Sequence, residues 1–301
     1  MKKKVAVLFG GKSPEYEVSL ASGDEVVKNL DPKKYKVIPV QLPKTGNYLS
    51  LISKIKNVDV VFIAMHGPYG EDGTVQGMLE LAGLKYTGSG VLASALGMDK
   101  SMFRKVLTAG NISIPKYIEV GRKYSLDGIY KKLGALPYFV KPNNQGSSVG
   151  SAIVMDEKGL LEALDEAFKY SSSVLIDQFI EGKELTCPIL GNNDPYALPI
   201  IEIVPKKGDF FDYKSKYEDG GADEIVPARI SVELTKKIQK IAVEVYKLVG
   251  CRGFGRVDFI LNNNNDPICL EINTIPGLTP GSLFPKSIKA TGMTYPEWLE
   301  K

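Results

Sequence analysis

The chain opens with short β-branched, apolar runs separated by a segment whose apolar positions recur every three or four residues. Residues 5–9, 37–42 and 58–65 carry the first pattern, and residues 18–30 carry the second. Strands alternating with helical periods predict a parallel sheet with crossover helices, here a doubly wound N-terminal domain over residues 1–96 of an α/β protein. Such sheets bind ligands beyond the carboxyl ends of their strands. The polar, Gly-containing loops 10–17 and 66–73 follow two of those strands and are candidate substrate loops.

The pattern changes after residue 96. A helix at 99–109, strands at 116–120 and 138–141, a helix at 158–169 and a strand at 174–180 make a small α+β unit over 97–183. Its Gly/Ser/Asn-rich stretch 143–151 predicts a hairpin loop. The third part, 184–301, has strands at 184–190 and 198–204, a helix at 231–249, and strands at 255–261 and 267–272 across an Asn-rich turn. Residues 206–223 are polar and too long for an ordinary connection, which is the mark of a lid or binding loop.

Composition narrows the class without naming it. With 301 residues, 44% of them apolar and 24% charged, the chain resembles an ordinary globular protein large enough for several domains. The net charge of +3 is weak and the basic residues are dispersed, so nucleic acid is not an expected partner. No apolar run approaches the roughly 20 residues that span a bilayer. The run 5–9 ends at Gly10-Gly11, too early for a signal sequence. The expectation is a cytoplasmic protein with no membrane partner. Cys187, Cys251 and Cys269, an odd number without CxxC spacing, predict reduced core thiols.

The strongest chemical pattern is Arg256-Val257-Asp258-Phe259 followed across the turn by Leu270-Glu271-Ile272-Asn273. Alternation puts Arg256 and Asp258 on one face of a strand, and Glu271 and Asn273 on one face of the next. Antiparallel pairing would gather two carboxylates, an amide oxygen and a guanidinium. Oxygen donors without Cys or His suit Mg2+ bridging phosphates; a solvated hairpin face reads equally well from the alternation alone. The tight turn at Pro276-Gly277 favours the site. The second pattern is a strand ending in Lys141, then Gly146-Ser147-Ser148-Val149-Gly150, small residues that let backbone N–H groups approach phosphates. A plain hairpin loop is the alternative.

Four further features weigh less. Gly10-Gly11-Lys12-Ser13 imitates the end of a P-loop, but Ala6 stands where the first glycine is needed. Gly88-Ser89-Gly90 imitates a dinucleotide fingerprint without following the first strand of its unit. His66, the only histidine, is as consistent with structure as with substrate binding, and Glu15 reads on spacing as an acid near a helix N-terminus.

Taken in order, these motifs resemble the D-alanine:D-alanine ligase family of the ATP-grasp superfamily along essentially the whole chain. The matching segments are 10–19, 66–73, 88–100, 141–150, 212–217, 255–258 and 271–277. The resemblance implies a three-domain ATP-grasp fold: 1–96 as the substrate-binding domain, 97–183 as the central domain and 184–301 as the C-terminal domain, with 206–223 its lid. It implies ATP as substrate and two Mg2+ ions, with Mn2+ an alternative, on Asp258, Glu271 and Asn273. Nucleotide contacts fall on Lys100, Lys141, Ser147, Ser148, Asp177, Gln178, Ile180, Glu184, Lys216 and Asn273. Glu15 takes the ammonium of the first D-alanine, with Ser147 and Tyr217 connected to it and His66 near the same pocket. Arg256 and the Gly277 N–H stabilise the oxyanion, while Ser282 and Leu283 hold the second carboxylate. The resemblance also implies a homodimer and the dipeptide product, with Tyr217 pointing away from D-lactate as second substrate. One departure is Asp177, where the family's adenine-binding hinge opens with Glu. The rival readings are a ligase for other second substrates and a nucleotide-binding module without catalysis.

Overall fold

A computed structural model describes residues 1–206 and 222–301. The first apolar run folds as β1 (Lys3–Gly10), buried from Val5 onward. α1 (Tyr16–Asn29) carries the chain over to β2 (Tyr35–Leu42), and α2 (Ile52–Ile55) precedes β3 (Val60–Ile63). The three strands are parallel in the order β2-β1-β3, the N-terminal parallel sheet that the pattern predicts. α3 (Thr74–Leu81), α4 (Val91–Met98) and α5 (Lys100–Ala109) follow. The loops after β1 and β3 leave the sheet at its carboxyl edge, side by side.

The second sheet is antiparallel. It is built from β4 (Tyr117–Gly121), β5 (Tyr138–Pro142), β6 (Ala152–Val154) and β7 (Ser173–Gln178) in the order β4-β7-β5-β6. α6 (Leu126–Leu133) and α7 (Glu157–Ala167) pack on it, each started by a side-chain cap, Ser125 and Asp156. The expected hairpin loop 143–151 joins β5 to β6.

The third sheet comprises β8 (Gly182–Leu190), β9 (Tyr196–Ala197), β10 (Ile201–Pro205), β11 (Ala222–Ile225), β12 (Phe254–Asn262) and β13 (Pro267–Asn273). Its order is β11-β10-β8-β12-β13, with β9 added beside β8. α8 (Val232–Val249), capped by Ser231 and closed by Gly250 in the left-handed region, buries Ile238, Ala242, Val245 and Val249 against it. Cys187, Cys251 and Cys269 all lie in this core as free thiols, and burial pushes the Cys251 thiol up to about 12.

After β13 the chain returns to the first sheet. α9 (Leu283–Ala290) and α10 (Tyr295–Leu299) bring Phe284, Ile288 and Trp298 into the core of β1–β3. Trp298 stands edge-on to Phe254 and Phe284, with centroids 5.5 and 5.4 Å away, and Phe62 stacks on Phe254 at 6.1 Å. This aromatic cluster locks the two ends of the chain together, since each ring buries large apolar area in a specific geometry. Phe254→Ala is expected to cost about 3–5 kcal/mol, the range for truncating a buried aromatic. The loss is read as a lower unfolding midpoint, followed by the fluorescence of Trp298, the only tryptophan.

Candidate functional site

A cavity of about 680 Å3 opens where the loops after β1 and β3, the β5–β6 hairpin loop and the β12–β13 pair converge. Glu15 occupies the N-cap position of α1, as its spacing suggests, but its carboxylate caps nothing. Buried to 7% exposure, it instead accepts a 2.6 Å hydrogen bond from the Ser147 hydroxyl, across from another sheet. Two glycines make room for it: a Cβ on Gly146 would stand 2.6 Å from Glu15 Oε1, and one on Gly67, where φ is +72°, would stand 2.9 Å from it. Ser147 and Ser148 both hold positive φ, a costly state for non-glycine residues that is kept where function fixes the backbone.

His66 is almost fully buried, and both of its ring nitrogens are engaged. Nδ1 lies 2.9 Å from the carbonyl oxygen of Ile275 and Nε2 lies 2.7 Å from the Ser22 hydroxyl, which also accepts from the Leu278 N–H. The carbonyl requires a proton on Nδ1. Burial opposes a charge on the ring, but the neighbouring Glu71 carboxylate outweighs it and raises the pKa above the ordinary value. His66 thus ties the turn containing Gly277 to the first sheet, and it also lines the cavity.

On the hairpin, Asp258 stands opposite Glu271 and Arg256 opposite Asn273. Arg256 forks onto Asp258 at 2.9 and 2.8 Å, and Thr186 of β8 donates to the same carboxylate at 2.5 Å. Lys100, at the start of α5, reaches the Gln145 carbonyl at 2.5 Å and lies 3.8 Å from Glu271. The Oδ1 of Asn273 is buried without a hydrogen-bond partner, which marks it as an oxygen held for something else. Ser282 sits at the N-cap of α9, its hydroxyl 2.9 Å from that of Thr279, and Gly277 is so close that a Cβ would stand 2.6 Å from Ser282 Oγ.

A second cavity of about 440 Å3 shares Glu184 and Ile203 with the first. Phe139, Ile180, Val204 and Leu270 give this slot apolar walls. Gln178 and Ile180 line it, and so do Lys141 and Asp177. The Asp177 carboxylate, however, is committed to Arg104, bonded through both oxygens, and to Lys141 at 3.2 Å. Burial pushes the Lys141 ammonium down to about 8 despite that partner. Lys216 and Tyr217 lie outside the described residues.

Sequence reading missed Arg104, Thr186 and Lys286. Thr186 was recoverable, since it shares a face of β8 with Glu184, and Arg104 follows Lys100 by one helical turn. Lys286, paired with Glu224 at 2.5 Å on the cavity wall, gave no signal. The decoy Lys12 lies over the rings of Tyr48 and Tyr69.

The family models described as D-ala D-ala ligase N-terminus and C-terminus match residues 4–89 and 107–301. The chain belongs to the D-alanine:D-alanine ligase family. It is 43% identical to the D-alanine--D-alanine ligase of Pelotomaculum thermopropionicum, covering 100% of this chain and 96% of that one. The D-alanine--D-alanine ligase of Bacillus anthracis, solved complexed with ATP, is 36% identical, with a TM-score of 0.86 over 99% of this chain and 95% of that one. The VanG D-Ala:D-Ser ligase of Enterococcus faecalis superposes with the same TM-score at 34% identity, over 100% and 98%. The family is ATP-dependent and has the ATP-grasp fold.

On the slot's other wall, a hydrogen bond from Arg229 holds the Glu202 carboxyl down to about 2 against the effect of burial. The folded pKa is depressed below the roughly 4.3 of an unfolded glutamate, so the pair's stabilisation is complete above about pH 4.5 and is lost as pH falls towards 2. Urea midpoints measured across that window should fall steeply for the natural protein and less steeply for Arg229→Ala.

Proposed function

We propose that the protein joins two molecules of D-alanine into D-alanyl-D-alanine, with ATP converted to ADP and phosphate, for peptidoglycan precursors. One observation carries the reading. Glu15, from the loop after β1, shares a single cavity with Arg256, Asp258, Glu271 and Asn273 of the third sheet, beside an apolar slot that suits adenine. A binding module needs no such juxtaposition.

The amino group of the first D-alanine pairs with Glu15, which Ser147 orients. Its carboxylate then attacks the γ-phosphorus of ATP, ADP departs and an acyl phosphate forms. The second D-alanine, as its free amine, attacks the acyl carbon, and the tetrahedral adduct collapses with loss of phosphate. An anion attacking a polyanion must first have its repulsion cancelled, and Lys100, Lys141 and Lys216 supply positive charge for this. Ser147 and Ser148 present backbone to the phosphates, and Gln178, Ile180 and Glu184 hold the nucleoside. Arg256 and the N–H of Gly277 receive the oxyanion, and Ser282 with the Leu283 N–H at the start of α9 receives the second carboxylate.

The residues present fit Mg2+, with Mn2+ as the alternative. Asp258, Glu271 and the unpartnered oxygen of Asn273 form an all-oxygen donor set, and Asp258 still has an acceptor site, because three hydrogen bonds use three of a carboxylate's roughly four. Two such ions would supply charge neutralisation at the β- and γ-phosphates. The same reading gives residues 1–96 to the amino acid, 97–183 and 184–301 to the nucleotide, and places the enzyme in the cytoplasm as a homodimer.

Incubation with ATP, Mg2+ and D-alanine should release phosphate and yield D-alanyl-D-alanine by mass spectrometry, with L-alanine inert. Glu271→Gln should lower the rate by about 100-fold or more, the scale of one lost electrostatic contact in a transition state. ATP binding without a ligated product would sink the substrate assignment, and preferential D-alanyl-D-serine formation would move it to another second substrate.

A further inference from the structure

Behind the wall of the nucleotide slot, three charged side chains from three elements meet in the protein interior. Arg104 of α5 is 0% exposed, Asp177 of β7 is 3% exposed and Lys141 of β5 is 6% exposed. Arg104 grips both Asp177 oxygens, with Nη2 at 2.6 Å from Oδ2, and its guanidinium lies 4.9 Å from the centre of the Tyr117 ring. Tyr117 and Phe139 are the direct neighbours of Asp177 in the sheet, so the carboxylate is flanked on both sides by rings. Lys141 approaches Oδ2, and of the two cations it alone lines the slot.

Besides Asp177, the Glu271 carboxylate acts on Lys141, while Arg104 and Lys100 oppose its charge, so cations outnumber anions around it. A buried cation in such surroundings gains from a further anion. The open side is the slot, where Lys141 stands. A nucleotide phosphate is the anion that fits, as the lysine is a compact point charge suited to it.

We infer that Arg104 and Asp177 are positioning residues that hold the Lys141 ammonium at the slot wall for a nucleotide phosphate, and that the Asp177 side chain does not read adenine. This rests on the reading of the slot as an ATP site. It also accounts for the shorter acid at the hinge: a carboxylate gripped by a fully buried arginine has to stay back among the rings. Burial lowers the Lys141 pKa to about 8 and Asp177 opposes that shift, so the carboxylate helps to keep the ammonium charged.

Binding of ATP and of adenosine to the full chain, without D-alanine, separates the possibilities by calorimetry and ligand-observed NMR. Asp177→Asn is expected to weaken ATP about tenfold, the scale of a charge-assisted hydrogen bond, and to leave adenosine within about twofold. Equal weakening of both ligands would show that Asp177 reads the base, and no change in either would remove it from nucleotide binding; each result overturns the inference. Should that variant fail to fold, Arg104→Lys keeps the charge but loses the fork, and the same selective loss of ATP is expected. Lys141→Met tests the underlying reading. If ATP binding survives that change, the phosphate site itself fails, whereas a loss there with none in Asp177→Asn overturns the positioning role alone.

Discussion

The antiparallel register of β12 against β13 is the constraint on which the site depends. With Asp258 opposite Glu271 and Arg256 opposite Asn273, the charged groups share a face, while Val257, Phe259, Cys269 and Ile272 are buried beneath α8. A slip of one residue would exchange the two sets, burying the carboxylates and exposing the apolar side chains. The register is therefore held by the core. It is interrupted once, by a bulge between Asp258 and Phe259, and this lets the consecutive residues Leu270 and Glu271 face the same way. Leu270 lines the apolar slot and Glu271 the polar cavity, so one irregularity lets a single strand serve both halves of the site.

The other parts are brought to that hairpin by contacts distant in sequence. Residues 283–299 pack into the core of the first sheet, and His66 and Ser22 hold the turn at 275–278 from the opposite side. Glu15 and Ser147 meet across 132 positions of chain. The first link buries apolar side chains and the others satisfy buried polar groups that would otherwise cost free energy, so the contacts that assemble the site also stabilise the fold.

Much of this was legible in the sequence, for a definable reason. Alternation along β12 and β13 is a local property, and it placed Arg256, Asp258, Glu271 and Asn273 on common faces before any pairing was known. The parallel sheet, the long helix at 231–249 and the loops at strand ends followed from periodicity of the same kind. The short helices α6, α9 and α10 did not, because eight residues or fewer give too few repeats for a period to register.

Tertiary structure decided which role each polar residue takes. Glu15 satisfies the spacing of a helix cap, yet its carboxylate turns to Ser147; His66 was open between two roles, and the carbonyl of Ile275 and the hydroxyl of Ser22 claim both nitrogens. Asp177 sits at the expected hinge position, but Arg104, 73 residues away, takes its oxygens. A sequence fixes which groups a strand or helix can present and on which face, because those periods are local. It leaves open which partner claims a buried charge, since that follows from desolvation and from neighbours that only folding brings within 3 Å or so.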